Sequence, residues 1–363
     1  MRWDNLSAPH DQGVPDQAAP AAPPLPLALP GAVTRTFDTP GFAGMTFYEV
    51  QAKSIINRVP GTSRVPFQWT INPYRGCSHA CVYCFARNTH TYLDLDPGRD
   101  FDSKVIVKVN AGQLIRRELA APKWRGGHIA MGSNVDCYQR AEGRYQLMPE
   151  IIRALTDFAN PFSILTKGTL ILRDLPLLRR AAEVTAVGVS FSVGFVDEAL
   201  WRSVEPGTPS PRRRLDAVRA VTDAGLPVGV LMAPILPGLT DTDESIEATV
   251  SAIAAAGATS VTPLPLHLRP GANEWYAAWL AREFPALLPR YRQLFGTGSY
   301  LPKAYQHEVS ARVRTAARRH GLNRPEPAAP PQVPTSPAES RALGFAPTRR
   351  SDPGAGVEQL ALL

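Results

Sequence analysis

The chain has 363 residues, a formal net charge of +7 at pH 7 and a hydrophobic share of 44%. That length accommodates one large α/β domain with tails, or two small domains. Four cysteines are too few for a disulfide framework, and neither a basic start leading into an apolar run nor a membrane-length apolar stretch occurs, so a soluble cytoplasmic protein with no membrane partner is expected.

Residues 1–31 run through Ala-Ala-Pro-Ala-Ala-Pro-Pro-Leu-Pro with few charges and predict a disordered tail, because such sequence buries too little apolar surface to offset chain entropy. Residues 32–64 are expected to be an extension packing on the core. Val65–Ile71 reads as a first strand leading into a loop that holds Cys77, Cys81 and Cys84. Phe101–Val109 is an additional β-like run, suited to a small outer strand, and a helix is predicted from about Gly112 to Ala120. A second strand, His128–Ser133, precedes the helical Pro149–Ala159. The third, Phe162–Lys167, is followed by Leu170–Ala182, and the fourth, Ala186–Val193, by Pro211–Ala224.

Pro227–Pro234 makes a fifth strand ahead of the helix Asp243–Ala256. Ser260–Leu266 is a sixth, with two prolines that confine it to a sheet edge. Alternating strands and helices over residues 65–270 predict an α/β fold with a parallel sheet, a partial (βα)6 barrel open on one side. Residues 271–322 read as a C-terminal helical cap, with helices at Asn273–Phe284, Ala286–Leu294 and Ala304–His320. Residues 323–363, rich in Pro, Ala and Ser, predict a second disordered tail.

The chemistry concentrates in the cysteine loop. Three of the four cysteines fall within eight residues, spaced C-x3-C-x2-C. Three thiolates on one loop can hold three corners of an iron–sulfur cluster and leave the fourth iron open to a small molecule. A zinc knuckle would need a fourth ligand, either Cys137 or one of His79 and His90, and such sites usually carry two C-x2-C pairs where this chain has one. A disulfide suits a tight triplet in a reducing compartment poorly.

C-x3-C-x2-C with an aromatic, Tyr83, before the last cysteine resembles the signature of the radical S-adenosylmethionine (radical SAM) superfamily. The resemblance implies a [4Fe–4S] cluster on Cys77, Cys81 and Cys84, whose open iron chelates the amino and carboxylate groups of S-adenosylmethionine. It further implies reductive cleavage to a 5′-deoxyadenosyl radical that abstracts hydrogen from a substrate, and an electron donor such as a flavodoxin or ferredoxin. Asp136 followed by Tyr138-Gln139, the pair Thr166-Lys167, the stretch Glu205–Arg212 and the stretch Ala233–Asp241 are similar to the branch that contains spore photoproduct lyase. That branch suggests nucleic acid, or its repair, as the substrate class. Scattered arginine clusters such as Arg212-Arg213-Arg214 fit either phosphate binding or ordinary solvated helix faces.

In βα barrels the working residues gather at the carboxyl ends of the strands. The family's usual Gly-Gly-Glu segment is absent after strand two, so the resemblance assigns the cofactor's amino group to Ser133, Asn134 or Asp136. Lys167 would meet the cofactor's carboxylate, Ser190 or Ser192 the ribose, and Pro234 would form an apolar wall for the adenine beside Tyr83. Cys137 is either a hydrogen-atom donor to a product radical or a small buried apolar residue. Tyr138, Gln139 and Glu142 either line the pocket or cap the next helix. His79 and His90 flank the cluster loop, Tyr74 and Arg75 precede it, and His267 and Arg269 end strand six within reach of a substrate. The competing reading is a non-catalytic nucleic-acid-binding module with a structural metal.

Overall fold

The computed structural model describes Leu29, residues 31–60 and residues 65–322. Both predicted tails therefore lie almost wholly outside the described residues. Two sheets carry the fold. The smaller has the order β1-β2-β6-β5, built from Val33–Arg35, Thr46–Val50, Lys104–Lys108 and Tyr74–Arg75. The larger has the order β11-β10-β9-β8-β7-β4-β3. Its strands are Ile56–Arg58 (β3), Trp69–Ile71 (β4), Ile129–Met131 (β7), Phe162–Thr166 (β8), Val187–Ser192 (β9), Val228–Ile235 (β10) and Ser260–Pro265 (β11).

All pairings from β4 to β11 are parallel, and β3 alone runs antiparallel, against β4. Each crossover thus moves one place along the sheet, and the strand twist curls the six parallel strands into an open barrel. Helices return the chain between strands: α4 (Leu147–Asp157), α5 (Leu175–Ala182), α7 (Pro211–Asp223) and α8 (Asp243–Ala255). The first turns are set by sequence. Ser210 Oγ accepts from Arg213 N with Pro211 at the first helical position of α7, and Thr242 Oγ1 accepts from Ser245 N at the start of α8. On α4, Leu147, Met148, Ile151, Ile152 and Leu155 recur at helical spacing and are all buried.

The main core lies between these helices and the outer face of the sheet, where Ile129, Met131, Phe162, Ile164, Val189, Phe191, Val228 and Val230 are almost inaccessible. Each such side chain stabilises the fold by about 1.5–3 kcal/mol relative to exposure. A second cluster joins the C-terminal helices α9 (Ala272–Glu283) and α10 (Leu288–Phe295) to the barrel mouth. There Tyr276, Trp279 and Leu280 pack with Val82 of the cysteine loop, Val204, Leu236 and Leu266. The last helix, α11 (Lys303–Arg319), covers the edge strand β11 and packs on α8.

Two expectations are corrected. The first strand is shorter than Val65–Ile71: only Trp69–Ile71 pairs, because Val65 and Pro66 lie in a bend and Pro66 has no amide to give the ladder. The run Phe101–Val109 divides, with Arg99–Ser103 forming one helical turn (α1) before β6. Its strand is no outer addition to the barrel, because β6 sits between β2 and β5 in the separate small sheet.

Candidate active site

The cysteine loop is fixed mainly through its backbone. Gly76 has φ +85°, and a Cβ there would meet the Lys104 carbonyl oxygen at 2.7 Å, so glycine is required for the turn into the loop. Cys77 N donates to Phe101 O at 2.9 Å, Val82 N to Val204 O at 3.0 Å, and Gly207 N to His79 O at 3.1 Å. Gln139 clamps the loop from the far side, its Nε2 donating to Gly76 O at 2.8 Å and its Oε1 accepting from Ser78 N at 3.0 Å.

Arg87, wholly buried, donates to Cys81 O through Nε and Nη2, to Gly98 O through Nη1, and pairs with Asp102 at 2.9 Å. Its guanidinium also lies over the rings of Phe101 and Trp275. A buried arginine inside the loop would be costly without those partners.

A cavity of about 200 Å³ opens at the carboxyl ends of the parallel strands. Cys77, Cys81 and Cys84 line it together with Tyr83, Ser133, Asn134, Asp136, Lys167, Ser192 and Pro234. Burial pushes all three thiols up, Cys81 to about 12, with neighbouring acids adding to the rise at Cys77 and Cys81. Protons would therefore stay on these sulfurs unless a cationic metal centre displaced them. Among the described residues no three His, Cys, Asp or Glu side chains gather around one point, as a single metal ion requires. Three cysteines on one loop are the donor set that would anchor three irons of a four-iron cluster and leave the fourth open.

Asp136 is occupied by its own chain. Oδ1 accepts from Thr166 Oγ1 at 2.6 Å and Tyr138 N at 2.8 Å, while Oδ2 accepts from Lys167 N at 2.7 Å and lies 3.3 Å from His79 Nδ1. Burial opposes its charge, yet His79, then the Lys167 amide and the Thr166 hydroxyl, hold the carboxyl down at about 2. With both oxygens hydrogen-bonded, Asp136 ties the ends of β7 and β8 to the cysteine loop, and Ser133 and Asn134 line the cavity beside it. Gly132, with φ +78°, lets β7 approach β8 so closely that a Cβ would lie 1.8 Å from Leu165 O.

Lys167 reaches across the cavity. Its Nζ donates to Ser192 Oγ at 2.8 Å, lies 3.9 Å from Glu205 Oε1 and sits 5.7 Å from the Tyr83 ring centre. Ser192 Oγ in turn donates to Ala233 O at 2.9 Å, which links strands four and five. Glu205 is fully buried between Arg214 Nη2 at 2.5 Å and the Tyr83 hydroxyl, which also donates to it. Burial works against the Glu205 charge, but Arg214 and then Lys167 hold it below the usual carboxylate range. A fixed anion thus stands behind the ammonium and the aromatic of the motif.

Other expected residues fall outside the cavity lining. Ser190, on the same strand face as Ser192, is not part of it, since the cavity begins one inward-facing position nearer the strand end. Cys137 is also absent from it: its side chain is fully buried within the main apolar core, as the packing reading expects. Tyr138, Gln139 and Glu142 do not line the pocket either. They form a buried polar layer beneath the loop, with Tyr74 Oη donating to Glu142 at 2.5 Å, Arg173 to Glu142 at 2.6 Å and Tyr138 Oη to Asp174 at 3.0 Å. His90 Nε2 lies 2.8 Å from Lys104 O and steadies the loop rather than facing the cavity. Arg87 and Glu205 as a counter-ion are the partners that sequence reasoning left without a role, with the position of Arg87 three residues after the last cysteine of the loop as the only prior signal; Arg214, read as phosphate-binding or solvated, is instead buried against Glu205.

A parallel open barrel whose strand ends face three thiols defines a class of cluster-dependent enzymes, and comparison with known proteins agrees. Residues 71–252 match the sequence model of the Radical SAM superfamily. The chain is 49% identical over 310 residues to the uncharacterized protein Rv2578c of Mycobacterium tuberculosis, an alignment covering 84% of this chain and 91% of that protein. It is 30% identical over 203 residues to the uncharacterized protein MJ0683 of Methanocaldococcus jannaschii, covering 55% of this chain and 72% of that one. Among solved structures, spore photoproduct lyase complexed with dinucleoside spore photoproduct has a TM-score of 0.56 at 16% identity, covering 76% of this chain and 79% of that one.

The chain belongs to the radical SAM superfamily. It is an enzyme of that class, working with a [4Fe–4S] cluster and S-adenosylmethionine. Among the described residues no helix is long and apolar enough to cross a membrane.

Proposed function

We propose that Cys77, Cys81 and Cys84 anchor the cluster and that S-adenosylmethionine occupies the cavity they line. The single observation that carries this assignment is the convergence of these thiols with Lys167, Ser133, Asn134 and Pro234 on one cavity at the strand ends. When bound, the cluster and S-adenosylmethionine supply a 5′-deoxyadenosyl radical for hydrogen abstraction.

This chain's own groups bind and orient. Lys167 Nζ presents positive charge to the cofactor's carboxylate, and Ser192 and Glu205 hold that ammonium in place. Ser133 and Asn134 offer hydrogen bonds to the amino group, while Pro234 and Leu231 form an apolar wall for the adenine. The Tyr83 ring, fixed through its hydroxyl on Glu205, closes the side of the cavity next to the last two cysteines and helps exclude water. Electrons would come from a small donor such as a flavodoxin or ferredoxin.

For the substrate we infer nucleic acid. The net charge of +7 and the fold shared with an enzyme solved with a dinucleoside photoproduct support that class. The test of the enzyme reading is anaerobic reconstitution with iron and sulfide, followed by reductant and S-adenosylmethionine. The expected result is 5′-deoxyadenosine; a fully loaded protein that releases none would refute the assignment. A colourless, zinc-loaded protein whose nucleic-acid binding weakens steeply with salt would instead favour the structural-metal reading.

A further inference from the structure

Strand six ends in a feature to which the assignment above gives no role. His267 lines the cavity and its backbone bridges that of Tyr300, with Leu268 N donating to Ser299 O at 2.9 Å. The Tyr300 ring stacks on the His267 ring, 5.7 Å between centres and 15° between planes. His267 in turn lies 5.5 Å from the Phe85 ring, and Phe85 directly follows Cys84 and lines the same cavity. Three rings therefore form one continuous ledge from the solvent, where Tyr300 is 48% exposed, to the cysteine loop.

Arg269, on the exposed rim, places its guanidinium 5.2 Å from the Phe85 ring centre. Leu264, 42% exposed, borders the cavity on the same strand. Burial, then the nearby Arg269 charge, pushes His267 down, so its ring is neutral at pH 7 and suits stacking more than ion pairing. A half-exposed run of planar rings ending at a radical source, with a cation at its side, has the composition of a platform that stacks bases and meets backbone phosphate.

The geometry points to Tyr300, His267 and Phe85 as the substrate platform, receiving an unstacked nucleobase of a single-stranded or locally opened nucleic acid while Arg269 contacts the adjacent phosphate. This rests on the nucleic-acid reading above and adds where and in what form the substrate binds. A paired base hides its faces in the stack, so a duplex presents nothing to the ledge unless a nucleotide is turned out.

The experiment uses the reconstituted full chain and a fluorescein-labelled mixed-sequence single-stranded 12-mer, with the matching duplex as comparison, read by anisotropy. Single strand is expected to bind more tightly than duplex. Tyr300→Ala should weaken it about 5- to 150-fold, the effect of losing one aromatic–base stack, and Tyr300→Trp should restore it. Arg269→Ala should lower the dependence of log affinity on log salt by about 0.7, the share of one phosphate contact on a single strand.

Equal binding by Tyr300→Ala and the unaltered protein, or preference for duplex, overturns the platform. If 5′-deoxyadenosine forms but no oligonucleotide binds, both the platform and the nucleic-acid class fail while the enzyme assignment stands. If the 12-mer binds through Tyr300 but no 5′-deoxyadenosine forms from the loaded cluster, the enzyme assignment fails and the platform stands.

Discussion

Arg214→Leu isolates the counter-ion that sits behind the cavity. In the folded protein Arg214 Nη2 lies 2.5 Å from Glu205 Oε2, Nη1 donates to Ser192 O at 2.8 Å, and neither side chain is more than 1% exposed. Removing one member of a buried ion pair leaves an uncompensated charge and costs about 3–5 kcal/mol. Lys167 Nζ at 3.9 Å and the Tyr83 hydroxyl still face the stranded carboxylate, which puts the expectation near the lower end, about 3 kcal/mol. At about 2–4 °C per kcal/mol for a domain of this size, the midpoint should fall by about 6–12 °C.

Urea unfolding of the anaerobic protein, followed by tryptophan fluorescence, measures the loss. Adding Glu205→Gln to Arg214→Leu should recover part of it, because the amide no longer carries charge into the core. A loss under about 1 kcal/mol, or strict additivity of the two substitutions, would refute the view that this pair is a coupled buried unit.

Alanine at Cys77, Cys81 or Cys84 should each abolish iron loading and 5′-deoxyadenosine formation, whereas Cys137→Ala should keep both; iron analysis and product chromatography decide. Gly207→Ala would place a Cβ 2.0 Å from the Ser78 carbonyl oxygen, so the variant should fold but take up markedly less iron, and wild-type uptake would show the contact to be compliant. The Asp136 carboxyl, at about 2 when folded and about 3.9 when unfolded, contributes about 2–3 kcal/mol that is fully present above pH ~4 and lost as the pH falls towards 2. Asp136→Asn should therefore lower stability at pH 7 and flatten its acid dependence; an unchanged acid limb in denaturant titrations would contradict the assigned pairing.

The barrel was readable because its strands are short apolar runs, such as Phe162–Thr166 and Val228–Ile235, separated by amphipathic helices with Ser210 or Thr242 at their starts. The first strand was overrun at its N-terminal side, where Pro66 interrupts a pattern that composition alone extends. The thiol triplet is local in sequence and therefore legible from spacing. Its supports are not: Gln139 reaches Gly76 across 63 positions, and Lys167 meets Glu205 and Ser192 only once two strand ends and the end of the helix Glu198–Val204 are brought together. Cys137 admitted two readings for the converse reason. Its place after strand two fits a functional residue, but the turn held by Asp136 directs it into the apolar layer behind the sheet.

The seat of the cysteine loop uses main-chain atoms of Cys77, His79 and Val82, paired with main-chain atoms of Phe101, Gly207 and Val204. Apart from Gly207, where a Cβ would meet the Ser78 carbonyl, bonds of that kind do not depend on which side chains occupy those positions. Substitutions on the rim that greets a target can therefore leave the ignition apparatus in place.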